Sequence, residues 1–124
     1  MKIKNDSITF DTTDLSQTAC TSQGFNLSHI ANFAFQAVTT GAPVGVFKVQ
    51  VSCDAGQPSA ASEAQQVATV TNWSDLPNAT VAVSASGTHL INVVDAGYNW
   101  ARIVYTKTSG TGAISSARCN FKGI

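Results

Sequence analysis

The sequence has little charge and few of the features that mark enzymes, membrane proteins or disulfide-rich secreted domains. Only 11% of its 124 residues are charged, although 44% are hydrophobic, and an average soluble domain carries about a quarter charged residues. The formal net charge is zero, so we expect no dense basic surface for nucleic acid. No apolar run approaches the roughly 18 residues that a membrane-spanning helix needs, and we expect no membrane partner.

Cysteine and histidine are also scarce and scattered. Cys20, Cys53 and Cys119 form an odd set without CxxC spacing, and the first residues lack the apolar segment of a signal peptide. We therefore expect reduced thiols in a cytosol, with Cys53 and Cys119 as small buried apolar residues. His29 and His89 have neither metal-site nor triad spacing, so the sequence predicts no catalytic residue, no metal site and no cofactor.

The sequence does contain many short runs in which apolar and polar residues alternate. Residues 44–53 alternate clearly, second only to the two terminal runs, and a predicted break at residues 41–43 precedes them. Residues 99–106 and 113–121 alternate too, and the Lys-Thr-Ser-Gly-Thr-Gly stretch at 107–112 has the composition of a hairpin loop. These patterns predict two strands closed by a glycine turn, which need another sheet to cover their apolar side.

The whole pattern predicts an all-β fold. About eight short strands at close spacing, with no long helix, indicate a single β-sandwich of jelly-roll or immunoglobulin-like type. We expect one domain over residues 1–124, with residues 1–24 as an extended N-terminal arm and loop. Residues 63–67 suggest a turn of helix, residues 67–71 a strand and residues 72–77 a turn.

Four residues are candidates for contact with a partner or ligand. Trp73 lies in a polar stretch, and Trp100 shares a strand face with Arg102. Together with Tyr98 they belong to the residue types that dominate binding hot spots. Packing in the core is the alternative for both tryptophans, since large aromatic side chains bury well at the end of a sandwich.

The remaining polar residues suggest structural roles. Arg102 lies in the middle of a strand, so it should reach the rim or pair with an acid such as Asp54 or Asp95. Neither acid belongs to a run of alternating carboxylates, which favours turn capping over calcium binding. The Ser-Gly-Thr-Gly stretch at 109–112 lacks the following lysine and hydroxyl residue of a phosphate-binding loop.

The second half of the chain carries an ordered set of motifs. Residues 44–54 end in Val-Gln-Val-Ser-Cys-Asp, and Asn72-Trp73-Ser74 follows. Residues 97–106 read Gly-Tyr-x-Trp-x-Arg-hydrophobic-x-Tyr-Thr, before the Ser-Gly-Thr-Gly turn and a closing strand that ends Phe-Lys-Gly. Over residues 44–124 this order resembles the β-sandwich module of capsid decoration (cement) and tail accessory proteins of tailed phages.

The resemblance implies a non-enzymatic virion structural protein, above all a capsid decoration protein that binds and stabilises the capsid exterior. It implies the major capsid protein or other virion proteins as partners, assembly as a homotrimer, and a place in the virion after synthesis in the host bacterial cytoplasm. The alternative is a tail or host-attachment β-sandwich that binds carbohydrate, with Trp73 or Trp100 as the stacking surface.

Overall fold

The computed structural model describes residues 3–57 and 59–123. This part of the chain consists of antiparallel strands and one short helix. In chain order the elements are β1 (Ile3–Ser7), β2 (Ala19–Thr21), β3 (Phe25–Asn26), β4 (Ile30–Ser52), α1 (Glu63–Val67), β5 (Ser74–Val83), β6 (Gly87–Val93) and β7 (Trp100–Gly123). Within the described residues, no helix is long and apolar enough to cross a membrane.

Two long strands, β4 and β7, form the centre of the fold. They contain 23 and 24 residues and pair antiparallel along their whole length, from Ile30 opposite Gly123 to Ser52 opposite Trp100. β5 and β6 pair with the free edge of β4, and β1, β2 and β3 pair with the free edge of β7. The described strands therefore belong to one continuous sheet.

This sheet is folded over on itself. Phe35 and Phe47 both belong to β4, and a straight strand would hold them about 40 Å apart, yet their ring centroids are only 5.5 Å apart. The first layer contains β5, residues 45–52, residues 100–107, β2 and β3; the second contains β6, residues 30–39, residues 113–123 and β1. The predicted all-β sandwich is confirmed, with seven strands rather than about eight.

The strands pass from one layer to the other at a point that is crowded by backbone atoms. Gly41 pairs with Gly112 and Pro43 with Gly110. A Cβ on Gly110 would lie 2.2 Å from the Ala42 carbonyl oxygen, and φ there is 78°, a left-handed value that favours glycine. The hairpin predicted at 107–112 is therefore wrong: β7 bends here beside β4 and does not reverse.

The core lies between the two layers and contains all six phenylalanines. Phe25, Phe33 and Phe121 pack together near one end, and Phe35 and Phe47 pack nearer the bend. The N-terminal segment contributes to the same core through Ile8, Phe10, Leu15 and Cys20. Residues 3–24 are thus part of the sandwich rather than a free arm, while the first two residues lie outside the described part.

Several local predictions have different outcomes. The turn of helix at 63–67 is confirmed as α1. The strand expected at 67–71 is wrong, because Val67 ends the helix and residues 68–71 form a turn and loop. β5 already begins at Ser74, within the expected turn. Cys119 is buried as expected, but Cys53 is exposed, because β4 ends at Ser52 and the chain turns outward there.

The crowded crossing predicts that Gly110→Ala destabilises the fold by about 2 kcal/mol or more, since it adds a backbone clash to a left-handed φ. Chemical unfolding measures this loss. Gly97→Ala is the matched control: no heavy atom lies within 4 Å of its added Cβ, so the free energy of unfolding should change by no more than about 0.5 kcal/mol. Equal effects at both positions would contradict the crowding.

Burial of His89 predicts that the stability of the fold depends on pH above the range in which carboxylates titrate. His89 lies against the Phe47 ring, and burial lowers its pKa. The unfolded chain then takes up the proton first as the pH falls below about 6.5, so stability should decrease from pH 7 towards pH 5.5. Urea unfolding measures the slope, which should flatten in His89→Gln. An unchanged slope in that variant would contradict the assignment.

Candidate functional site

A tryptophan and an arginine stack on the outer face of the first layer. The guanidinium carbon of Arg102 lies 4.5 Å from the centroid of the Trp73 ring, a distance at which an aromatic face attracts a cation. Its Nε donates to Oε1 of Gln50, the opposite residue on β4, at 2.8 Å. The expected pairing of Arg102 with Asp54 or Asp95 does not occur, because Gln50 and Trp73 engage the guanidinium. We call the pair of Trp73 and Arg102 the Trp–Arg stack.

Gln50 connects the stack to an exposed ion pair. Its Nε2 donates to Oδ1 of Asp75 at 2.9 Å, and Nζ of Lys48 lies 3.2 Å from Oδ2 of the same carboxylate. The hydrogen bonds from Gln50 and Lys48 lower the pKa of Asp75. Because the Asp75 side chain is 57% exposed, the pair contributes little to stability. It forms a polar border beside the stack.

The loop between β4 and β5 covers the outer face of the first layer and positions Trp73. The carboxylate of Asp54 accepts hydrogen bonds from the backbone N–H groups of Thr71 and Asn72 and from the Asn72 side chain, each at 3.0 Å. These bonds, above all the one from the Asn72 side chain, lower the pKa of Asp54. The residue before Trp73 is thereby fastened to the start of the loop.

Trp100 fills the space beneath this loop. It is only 2% exposed, and its Nε1 donates to the backbone carbonyl of Asp54 at 2.9 Å. The loop backbone lies so close that a Cβ on Gly56 would come within 2.8 Å of the indole ring. A ring that is covered in this way offers no stacking surface to a ligand from solvent, which removes Trp100 from the accessible contact candidates.

Helix α1 ties the covering loop to the N-terminal part of the domain. Its first turn is capped by the side chain of Ser62, as is typical of helix N-termini. Oε2 of Glu63 accepts the backbone N–H of Asn26 at 2.9 Å. The outer edge of the Trp73 ring approaches Gly24, where a Cβ would lie 3.4 Å away. The ring is therefore held between β7, the loop and the β2–β3 connection.

Burial separates the four candidates that the sequence indicated. Trp73 and Arg102 come together and are both partly exposed. Trp100 is enclosed beneath the loop. Tyr98 is partly buried and packs against the core. The accessible candidates thus reduce to the Trp–Arg stack, with Tyr98 as a separate residue at the edge of the core.

The sequence interpretation missed a second polar surface, on the outer face of the second layer. One row across four strands reads Asn5, Asn120, Ala34 and Asn92, each paired with the next. We call the whole surface the amide face; its members are Asn5, Asn32, Ala34, Gln36, Leu90, Asn92, Arg118, Asn120 and Lys122. Alternation along β4 predicts that Asn32, Ala34 and Gln36 share one face. The residues beside them on other strands depend on the strand pairing, which the hairpin interpretation of 107–112 gets wrong.

The titratable groups show no catalytic arrangement in the part of the chain that the structure describes, and no group of three His, Cys, Asp or Glu side chains there converges on a metal position. Burial raises the pKa of Cys20 to about 11 and that of Cys119 to about 12, so neither is a thiolate at neutral pH. His89 Nε2 lies 2.9 Å from Oγ1 of Thr39. Thr39 is only 2% exposed, so a substrate cannot reach that hydroxyl.

The stack predicts energetic coupling between Trp73 and Arg102. A double-mutant cycle with Trp73→Ala and Arg102→Ala should give a coupling energy of about 0.5–1 kcal/mol in chemical unfolding, since the pair is partly exposed. A cycle of Trp73→Ala with Arg118→Ala, on the opposite outer face, is the control and should be additive within about 0.5 kcal/mol. Additivity of the first cycle would contradict the stack.

A comparison of the sequence with protein-family models and with curated proteins finds no match. Solved structures do share the fold. PirA is similar over 97% of this chain and 93% of its own, with a TM-score of 0.53 and 9% identity. Chitosan-binding module 1 of a chitosanase/glucanase from Paenibacillus sp. IK-5 has a TM-score of 0.53 and 14% identity, over 98% of this chain and 94% of its own.

A third structure, the SPBc2 prophage-derived protein YomS, has a TM-score of 0.48 and 7% identity, over 97% of this chain and 92% of its own. At such identities the likeness of PirA and of the chitosan-binding module to this chain establishes the fold alone. This chain is a small β-sandwich protein whose fold also occurs in a module that binds chitosan.

Proposed function

We propose that this chain is a non-enzymatic structural protein of a tailed-phage virion, which binds the capsid exterior through the Trp–Arg stack. The main support is that residues from separate motifs of the sequence resemblance contact one another in the structure. Gln50, Trp73 and Arg102 come from three separate motifs of the sequence resemblance, and their side chains are linked through the Arg102 guanidinium. Asp54 and Trp100 come from the same motifs and hold the loop that positions the stack.

The stack has the properties of a docking hot spot. Tryptophan and arginine are the residues whose truncation most often weakens protein interfaces. The guanidinium is oriented by Gln50 and the indole is held by the loop, so binding would cost little side-chain entropy. The exposed pair of Lys48 and Asp75 supplies the polar rim that surrounds the centre of a typical interface.

The proposed non-enzymatic role is supported by the burial of two of the three thiols and of the hydroxyl beside His89. The buried thiols of Cys20 and Cys119 are protonated, and the hydroxyl beside His89 is closed to solvent. A nucleophile needs both an activating partner and access to a substrate. These groups therefore stabilise the sandwich as packed side chains.

The proposal includes a homotrimer with the major capsid protein as its partner. A surface with zero net formal charge resists association poorly, and closed cyclic symmetry is the usual form of soluble homo-oligomers. Multi-angle light scattering of the purified protein should give the mass of three chains. A monomeric mass at every concentration would contradict the trimer.

Carbohydrate stacking on Trp73 has less support. Arg102 already occupies one face of the ring, so a sugar on that face would have to displace the guanidinium. The ring edge towards Gly24 is also approached by the chain itself. Binding of a partner surface to the assembled pair avoids this displacement.

Co-sedimentation tests the docking role. Purified protein is added to capsids of the phage whose genome encodes it, after the capsids have been freed of this protein. We expect wild-type protein to pellet with capsids, and Trp73→Ala to bind at least about tenfold more weakly, because it removes the centre of the hot spot. Circular dichroism and thermal unfolding establish that the variant is folded.

Leu90→Ala is the matched control, since Leu90 is a large apolar residue, 60% exposed, on the opposite layer. It should leave capsid binding unchanged. Sedimentation with isolated tails but not with capsids would contradict the decoration role. A loss of binding in Leu90→Ala with none in Trp73→Ala would contradict the proposed docking face.

A further inference from the structure

We infer that the amide face is a binding site for an anionic saccharide, independent of the Trp–Arg stack. Its central row places Asn120 and Asn92 on either side of Ala34. Because alanine has the shortest side chain in that row, the amides on both sides stand above a shallow floor. The result is a depression of about 170 Å³, lined by Asn32, Phe33, Ala34, Asn92, Asn120 and Lys122.

The amides of this surface can still accept and donate hydrogen bonds. Each asparagine or glutamine side chain offers an acceptor oxygen and two donor hydrogens. Among the described residues, Asn92 and Gln36 have no side-chain hydrogen bond, and Asn32 accepts only the backbone N–H of Asp95, at 3.3 Å. Paired acceptors and donors at close spacing match the vicinal hydroxyl groups of a sugar ring, each of which also donates and accepts.

A hydrogen-bond network holds one side of the depression in place. The Asn5 side chain donates to Oδ1 of Asn120, and Arg118 donates to Asn5 at 2.6 Å and to Ser7 at 2.9 Å. The amide of Asn120 is thereby oriented, with its nitrogen left for a ligand. An oriented amide binds more tightly than a free one, because less rotamer entropy is lost.

The charges on the amide face favour an anion. Lys122 lines the depression and Arg118 lies in the neighbouring row. None of the described side chains in these rows is a carboxylate. Asp6 follows Asn5 on β1 but pairs with Cys119 between the rows and forms an ion pair with Lys4, and Asp95 contacts Asn32 through its backbone N–H. A carboxylate on the sugar would therefore meet the Lys122 ammonium without a competing acid inside the depression.

The composition of the surface favours a saccharide over a protein partner. Centres of protein interfaces are enriched in aromatic residues and methionine and depleted in lysine. The amide face exposes no aromatic side chain, since Phe33 below the depression is only 2% exposed, and it includes a lysine. Leu90 and Val94 are 60% and 62% exposed on β6 and just beyond its end. They can contact the C–H face of a sugar beside the depression.

NMR titration of the isotope-labelled protein with trigalacturonate tests the inference. We expect shifts confined to residues 32–36, 90–94 and 118–122, with a dissociation constant of about 1 mM or tighter. Lys122→Met should weaken binding at least about tenfold through loss of the charge, and Asn92→Ala should weaken it through loss of the amide. Ser116→Ala, exposed on the same face two rows away, is the matched control and should bind like wild type.

Two further ligands decide the chemistry. Maltotriose, which is neutral, should bind at least about tenfold more weakly than trigalacturonate. Equal binding of the two would overturn the inferred preference for an anionic saccharide. A triglutamate peptide tests for an acidic protein segment, and binding as tight as that of trigalacturonate through the same residues would overturn the saccharide. No localised shift with trigalacturonate at about 10 mM would overturn the site itself.

The outcome is separable from that of the docking proposal. Trp73→Ala should keep its affinity for trigalacturonate, since it lies on the other layer, and Lys122→Met should keep its affinity for capsids. Loss of saccharide binding in Trp73→Ala, with the fold intact, would contradict the independence of the two faces.

Discussion

The architecture depends on the close backbone approach where β4 and β7 cross together between the layers. At Gly41, Gly110 and Gly112 the two strands run so near each other that a Cβ would overlap backbone atoms of the facing strand. Without side chains there, the ladder continues through the bend and no hydrogen-bonding register is lost beyond local bulges. One pair of strands thus supplies the centre of both layers, and the other strands need only extend their edges.

This construction determines which chemistry appears on which surface. Alternation along β4 and β7 turns one set of side chains inward to the phenylalanine core and the other outward. On the first layer the outward set includes Trp100 and Arg102, and the loop fastened by Asp54 closes over part of it. On the second layer no loop of the described chain lies across the amides. The same two strands therefore present a covered aromatic face and an open polar one.

Local pattern was sufficient to predict the fold class but not the connections. The alternation in residues 44–53 and 99–106 identifies strands correctly, and the lack of long periodic runs excludes a helical fold. The Ser-Gly-Thr-Gly stretch at 109–112 is ambiguous, since glycine permits a hairpin and a close strand crossing equally well. Only contact with residues 41–43, remote in sequence, decides between them. For the same reason the pairing of Arg102 with Gln50, and the residues that join Asn32, Ala34 and Gln36 on the amide face, could not be predicted, because cross-strand register sets them.

The thickness of the sandwich separates the two faces for which binding is proposed. Packed sheets lie about 10 Å apart, and the Trp–Arg stack and the amide face point in opposite directions from them. A protein fixed to a particle by the first layer would turn the amide face towards solvent, where a hydrated polysaccharide can reach it. The rigid phenylalanine core between the layers keeps both surfaces in shape. Occupancy of one face would need no conformational change at the other, so the proposed capsid partner and the proposed saccharide would bind independently.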